Sequence, residues 1–279
     1  VSGGTPTYSY NWNNGASSQN LSNQAAGTYT VSITDANGCT ATTSGPVTQP
    51  TALTVSPAVV ANVMCNGGNN GSASAVAAGG SAPYSYAWSN GSATASATAL
   101  IAGTYTVTAT DANGCTATGS IIVTQPTLLT TSITATTNVT CNGLNNGSLT
   151  TAANGGVSPY TYIWSNGTAG AVASGLIAGT YTVTATDANG CTATTSGSVT
   201  QPTPITVTPA VVNNVSCNGG SNGAASALAA GGTAPYSYAW STGATGTNAS
   251  GLSAGTYTVT ATDANGCTIS GTVNISEPA

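Results

Sequence analysis

The cysteines are the residues of this sequence whose spacing points most directly to chemistry. Spacings of 26 and 50 residues alternate between them. There are seven: Cys39, Cys65, Cys115, Cys141, Cys191, Cys217 and Cys267. No two are close enough to form the short Cys-x-x-Cys pair of zinc and redox sites. We therefore expect disulfide bonds, which are typical of extracellular or periplasmic proteins, and we predict an extracellular, cell-surface location.

Two disulfide pairings respect this spacing. The first joins cysteines 50 residues apart and leaves Cys39 to pair upstream of Val1: Cys65–Cys115, Cys141–Cys191 and Cys217–Cys267. The second joins cysteines 26 residues apart and leaves Cys267 alone: Cys39–Cys65, Cys115–Cys141 and Cys191–Cys217. We expect the first, because closing a 50-residue loop contributes about 4 kcal/mol through chain entropy and a small core without Phe needs such support. The second pairing, which would lock neighbouring segments together, stays open.

A recurring aspartate is the other candidate ligand. It lies in the motif Thr-Asp-Ala-Asn-Gly-Cys, at Asp35, Asp111, Asp187 and Asp263. Asp-x-Asn-Gly occurs in calcium loops, but calcium takes six to eight oxygen ligands, usually from several carboxylates. Each motif offers one carboxylate. We predict a hairpin turn with Asp at its first position and Gly where φ is positive, with calcium binding as the alternative.

The composition argues against several classes of function. The chain has no Lys, Arg or His, and Glu277 is its only acid besides the four aspartates. Nucleic acids and anionic membranes are bound through cationic side chains, and general acid–base catalysis near neutral pH draws mainly on His and Lys. No apolar run approaches the roughly 20 residues of a membrane helix. We predict a protein that is not an enzyme, has no cofactor, and binds neither nucleic acid nor membrane.

A strict internal repeat organises these residues. Tryptophan recurs every 76 residues, at Trp12, Trp88, Trp164 and Trp240, and each aspartate keeps the same step. Gln-Pro closes each repeat, and Glu277–Pro278 follows in register. The predicted domains are a partial repeat, 1–50, and three repeats, 51–126, 127–202 and 203–279. Because the sequence starts within a repeat and not with Met, we expect it to be an interior piece of a longer protein.

Each repeat has the pattern of an all-β domain. Alternating apolar and polar residues with Thr, Val and Tyr predict half-buried strands. In repeat 51–126 they are expected at 52–56, 59–65, 72–78, 84–89, 94–99, 104–110 and 115–124. About seven short strands indicate an immunoglobulin-like β-sandwich with the tryptophan in its core. A second core aromatic follows a Gly turn and is typical of a tyrosine corner: Tyr29, Tyr105, Tyr181 and Tyr257.

Three blocks of repeat 51–126 resemble the SprB repeat. They are Cys-Asn-Gly-Gly-Asn-Asn-Gly-Ser (65–72), Gly-Gly-Ser-Ala-Pro-Tyr-Ser-Tyr-Ala-Trp-Ser-Asn-Gly (79–91) and Ala-Gly-Thr-Tyr-Thr-Val-Thr-Ala-Thr-Asp-Ala-Asn-Gly-Cys-Thr (102–116). This family supplies tandem repeats of large cell-surface adhesins in gliding Bacteroidota. The resemblance implies export, typically by the type IX system, and a role in attachment or gliding motility. It assigns no ligand site.

These observations favour a structural function. We expect the repeats to form a stalk or filament that holds an adhesive tip away from the cell. Nearly uncharged surfaces lack the repulsion that keeps proteins apart, so we expect a homo-oligomer, a lateral bundle or fibre of identical chains. The alternative is a multivalent adhesin whose repeats bind surface glycans weakly and gain avidity from their number.

Overall fold

The computed structural model describes all residues 1–279, and every regular element in it is a β-strand. No helix that could cross a membrane is present. The chain forms two compact units. The first comprises Val1–Val63 and Asn69–Thr124, and the second comprises Met64–Gly68 and Gln125–Ala279.

The first unit contains the partial repeat and most of repeat 51–126. The partial repeat contributes one antiparallel sheet: β1 (Ser9–Trp12), β2 (Gly27–Thr34) and β3 (Thr40–Val47). Repeat 51–126 contributes six strands: β4 (Thr54–Ala61), β5 (Gly71–Ala78), β6 (Ser85–Trp88), β7 (Ser96–Leu100), β8 (Gly103–Thr110) and β9 (Thr116–Val123).

The second unit contains two complete sets of the same six strands. Repeat 127–202 has β10 (Thr130–Thr137), β11 (Gly147–Asn154), β12 (Thr161–Trp164), β13 (Val172–Leu176), β14 (Gly179–Thr186) and β15 (Thr192–Val199). Repeat 203–279 has β16 (Thr206–Asn213), β17 (Gly223–Ala230), β18 (Ser237–Trp240), β19 (Asn248–Leu252), β20 (Gly255–Thr262) and β21 (Thr268–Ile275).

Each complete repeat is an immunoglobulin-like sandwich of two three-stranded antiparallel sheets. In repeat 51–126 the sheets have the orders β4-β5-β7 and β6-β8-β9. The fold class is therefore confirmed, with six strands in place of seven. The two strands expected at 52–56 and 59–65 form the single strand β4, which continues past a register shift between Val59 and Ala61. The bulge reverses the alternation of side chains, so one strand had the sequence pattern of two.

The core of each sandwich forms around the predicted tryptophan. Trp164 is 1% exposed and packs with Leu149, Leu176 and Val183. Its indole N–H donates a 3.0 Å hydrogen bond to the carbonyl of Gly170. This bond gives a partner to the one polar atom of the buried side chain. Trp88 and Trp240 are equally buried, whereas Trp12 is half-buried because the partial repeat has one sheet instead of two.

The tyrosines at the start of the fifth strand have the geometry of a tyrosine corner. The Tyr181 hydroxyl donates to the carbonyl of Ile177, four residues earlier, at 3.1 Å. The same bond recurs from Tyr29 to Ala25, from Tyr105 to Ile101 and from Tyr257 to Ser253. Each bond fixes the chain as it enters the strand that leads to the aspartate turn.

Candidate functional site at the joints between repeats

The aspartate turn connects the last two strands of each repeat. In repeat 127–202, Asp187 follows β14 and is 5% exposed. Its Oδ1 accepts the N–H groups of Asn189 and Cys191, both at 2.9 Å, and its Oδ2 accepts the N–H of Val157 at 2.9 Å. The other aspartates hold equivalent bonds: Asp35, Asp111 and Asp263. The carboxylate therefore fixes the backbone that presents the cysteine.

A glycine pair makes room for this carboxylate. Gly156 has φ of +57°, and a Cβ placed on it would lie 2.6 Å from Asp187 Oδ2. Gly155 has φ of +75°, and its Cβ would collide with the carbonyl oxygen of Leu128. A side chain at either position would be both strained and obstructed. The same pair recurs at 79–80 and 231–232 with the same close approaches.

Hydrogen bonding also determines the charge state of the aspartate. Burial acts to raise the pKa of Asp187, but the N–H groups of Val157, Cys191, Asn189 and Gly190 outweigh it and hold the pKa below the ordinary 3.8. The carboxylate is thus charged and surrounded by N–H donors. A calcium ion needs oxygen ligands in the same place, so the residues around the carboxylate do not fit the calcium alternative. No cluster of three or more His, Cys, Asp or Glu is present.

A second motif, Cys-Asn-Gly, forms hydrogen bonds to the dipeptide Gln-Pro or Glu-Pro near the end of each complete repeat. In repeat 127–202, Asn142 Nδ2 donates to the carbonyl of Pro202 at 3.1 Å, and the Gly143 N–H donates to Gln201 Oε1 at 2.8 Å. These bonds bring the Cys141 loop to the point where the chain leaves β15. Because the Gln side chain serves as an acceptor, Glu can replace it. Repeat 203–279 shows this, with the Gly219 N–H donating to Glu277 Oε2 at 2.7 Å.

The two motifs meet at the joint between repeats 127–202 and 203–279. Cys141 forms a disulfide with Cys267, with a Cα–Cα separation of 5.7 Å. Beside it, Asn265 Nδ2 donates at 3.0 Å both to the carbonyl of Thr140 and to Thr233 Oγ1 in its own repeat. The joint is therefore closed by one covalent bond and one hydrogen bond in addition to the backbone.

A second joint in the same compact unit has the same chemistry. Segment Met64–Gly68 belongs by sequence to repeat 51–126 and packs within the second unit. Cys65 forms a disulfide with Cys191, with a Cα–Cα separation of 5.6 Å. Asn189 Nδ2 donates to the carbonyl of Met64 at 2.8 Å. The bridge and its neighbouring hydrogen bond thus repeat with the sequence period.

Neither predicted disulfide pairing is present, so the prediction of bonds within repeats was wrong. Both observed bridges join cysteines 126 residues apart, in successive repeats. The reason is geometric. Cys191 immediately precedes the eight-residue strand β15, whereas Cys141 lies at the other end of β15, beside Gln201. Eight residues of strand span about 26 Å, far beyond the separation that a disulfide allows.

The same geometry explains the remaining cysteines. In repeat 127–202, Cys191 is bonded to the preceding repeat and Cys141 to the following repeat. Cys39, Cys115 and Cys217 are exposed and free. A partner 126 residues away in the direction of the observed bonds would lie outside the 279 residues for each of these three cysteines. The four bridged cysteines follow one rule, in which each bond joins cysteines 126 residues apart.

Part of this joint was predictable from the sequence. The cysteines and the aspartates come together there, while the tryptophans and corner tyrosines support the sheets behind it. The hydrogen-bonding roles of Asn142, Gln201, Asn189 and the glycine pair were missed. Their signal was present, since Cys-Asn-Gly, Gln-Pro and Gly-Gly all recur at the 76-residue step. The groove beside the Cys141–Cys267 bridge is lined by no aromatic side chain and offers no stacking surface for a sugar.

Comparison with known protein families identifies the repeat. The SprB repeat profile matches residues 58–93, 133–169 and 210–245. A search of curated protein sequences finds no significant match. Among solved structures, three N-terminal domains of the bacteriophage RB49 outer capsid protein Hoc align at 14% identity and TM-score 0.39, over 81% of this chain and 98% of that one. Down Syndrome Cell Adhesion Molecule aligns at 10% identity and TM-score 0.29, over 98% of this chain and 56% of that one.

These structural matches are too distant to support an argument about function. The SprB profile is different, because it recurs in all three complete repeats at the positions of the first strands, the Cys-Asn-Gly loop and the tryptophan. Such repeats belong to adhesin-like extracellular regions, in keeping with the two disulfides. Three segments of the chain therefore match the SprB repeat, one in each complete repeat.

Proposed function

We propose that this chain is a stalk or filament segment of an extracellular adhesin, which holds an adhesive tip away from the cell surface. The observation that supports the proposal is the closed joint. Successive repeats are tied by Cys65–Cys191 and Cys141–Cys267, each accompanied by an asparagine hydrogen bond. A string of independent binding domains has no need of such joints.

The joint restricts motion for a physical reason. A backbone linker alone leaves two domains free to swing. A disulfide added at the same joint removes most of the remaining relative orientations of the two domains. Hydrogen bonds also hold the backbone around its cysteines. Cys267 is fixed by the Asp263 carboxylate, and Cys141 lies next to Asn142, which binds Pro202. A repeat joined in this way transmits orientation to the next repeat.

Small-angle X-ray scattering of the full chain tests this proposal. We expect the oxidised chain to give one well-defined maximum dimension. Replacing the four bridged cysteines by serine should broaden the distance distribution, while Cys115→Ser, which removes a free thiol, should leave it unchanged. If the oxidised chain is as flexible as the four-serine variant, the stalk proposal fails.

The stalk is further proposed to associate laterally with identical chains. Three of its four aspartates are buried, so its surface carries even less charge than its composition indicates. Apolar side chains also lie on the outer face of the first sheet in alternate repeats. Val76 on β5 is 67% exposed, and its counterpart Leu228 on β17 is 70% exposed. Burying such side chains between chains would contribute about 25 cal/mol per Å², with little charge repulsion to oppose it.

Sedimentation at increasing protein concentration tests the association. We expect the mean mass to rise with concentration, and we expect Leu228→Lys to suppress the rise. Thr256→Lys, which places the same charge on the exposed face of β20, is the control for a general charge effect. A chain that stays monomeric at all concentrations would contradict lateral association, and equal effects of the two variants would contradict this interface.

A further inference from the structure

The two disulfides overlap along the sequence. Cys65–Cys191 closes one loop and Cys141–Cys267 closes another, and residues 141–191 belong to both. A break in any single peptide bond between Cys65 and Cys267 therefore leaves the chain in one covalent piece. Disulfides confined to single repeats would protect the bodies of the repeats and leave every joint dependent on its backbone alone.

We propose that these overlapping bridges form a covalent bypass, which carries tension past segments 66–140 and 192–266 and keeps the chain joined after cleavage at either joint that a bridge spans. The proposal rests on the proposed function, because only a stalk between a cell and an attached tip is pulled along its length. It adds the way in which that load is carried.

The bypass follows from the shortest covalent path through the molecule. From Val1 the path reaches Cys65, crosses to Cys191, returns along the chain to Cys141, crosses to Cys267 and continues to Ala279. Segments 66–140 and 192–266 lie off this path. They contain β5 to β10 and β15 to β20. Once the bridges are taut, these strands bear no load.

The segment between the two bridges stays on the path. Residues 141–191 contain β11 to β14 and the Trp164 core, and they carry the load from one bridge to the other.

The linkers between repeats have an exposed residue at the same position of each repeat. Residue 128, in the linker between β9 and β10, is a leucine with 63% of its side chain exposed. Its counterparts at the same position of the repeat, Ala52 and Pro204, are also exposed. Leu128 lies inside the Cys65–Cys191 loop, Pro204 lies inside the Cys141–Cys267 loop, and Ala52 lies in neither.

This arrangement allows a matched cleavage experiment. The natural chain has no Lys or Arg and so no trypsin site. Ala52→Arg, Leu128→Arg and Pro204→Arg each create one site at the same position of successive repeats. The full-length variants are digested with trypsin in urea, which gives access to the site without breaking disulfides, and are separated with and without reductant. The reducing gel confirms that each variant has been cut.

We expect the Leu128→Arg and Pro204→Arg variants to run as one full-length species without reductant and as two fragments with it. The variant that combines these two substitutions should also stay joined, as three fragments held by two bridges. Ala52→Arg should separate into two fragments in both gels. Release at all three positions, or retention at all three, would overturn the proposal, because these are the results of bonds within repeats and of bonds between cysteines 26 residues apart. The result does not depend on stiffness, so a flexible chain would refute the stalk and leave the bypass standing.

Discussion

Stretching single molecules of this chain should reveal the overlap of its disulfides as a departure from additivity. With both bridges intact, the covalent path contains roughly 130 of the 279 residues, or about 450 Å at full extension. Removing one bridge, by Cys141→Ser with Cys267→Ser or by Cys65→Ser with Cys191→Ser, returns only about 25 residues to the path. The extended length then rises to about 530 Å.

Removing the second bridge should have a much larger effect. The whole chain then bears the load, and the extended length becomes about 960 Å. The first loss therefore adds about 85 Å and the second about 430 Å, in whichever order the bridges are removed. Two independent loops would give increments that simply add, because neither bridge would shield residues that the other also shields.

The assay is atomic force microscopy or optical tweezers with handles at the two termini, and the measured quantity is the contour length after complete unfolding. Cys115→Ser is the matched control, since Cys115 forms no bond in the structure and its loss should not change the length. Additive increments, or a longer chain in the control, would refute the reasoning.

Three further predictions concern the turn and the loop that build the joint. Because the pKa of Asp187 is lowered in the folded state, its stabilising contribution is present above the unfolded value of 3.8 and is lost as pH falls through the folded value. The melting temperature of the natural chain should thus be nearly constant from about pH 5 to 8 and should fall in acid. The melting temperature of the Asp187→Asn variant should fall less over the same acid range. An equal fall for the natural chain and the variant would contradict this. Gly156→Ala should lower the free energy of unfolding by about 1–3 kcal/mol or more, because its Cβ would meet the carboxylate. Gly167→Ala, which also has positive φ but open space around its Cβ, should cost less in the same urea titration. Gln201→Ala should cost about 1 kcal/mol by leaving the Gly143 N–H without its acceptor, whereas Gln201→Glu should be nearly neutral by the same measurement.

Much of the fold follows from local sequence patterns. Alternation in segments such as 104–110 predicted the strands, and the placement of Trp164 and Tyr181 at fixed points of that pattern predicted their packing. The single strand β4 was divided in two because the bulge near Val60 reverses the alternation. The position of a bulge depends on how the strand pairs with its neighbour. The periodicity of one strand contains no information about that pairing.

The joint was only partly predictable, and the cause is the repeat itself. The sequence determined that each 76-residue repeat is a β-sandwich, that its turns are built by Asp and Gly, and that its cysteines form disulfides. In a periodic sequence, however, the candidate partners of Cys141 are related to one another by whole repeats, so that spacing alone does not distinguish Cys191 from Cys267. The tertiary structure made that choice. Strand β15 separates the two cysteines of one repeat by its whole length, and the Asn142 and Asp263 hydrogen bonds aim Cys141 and Cys267 at each other across the joint.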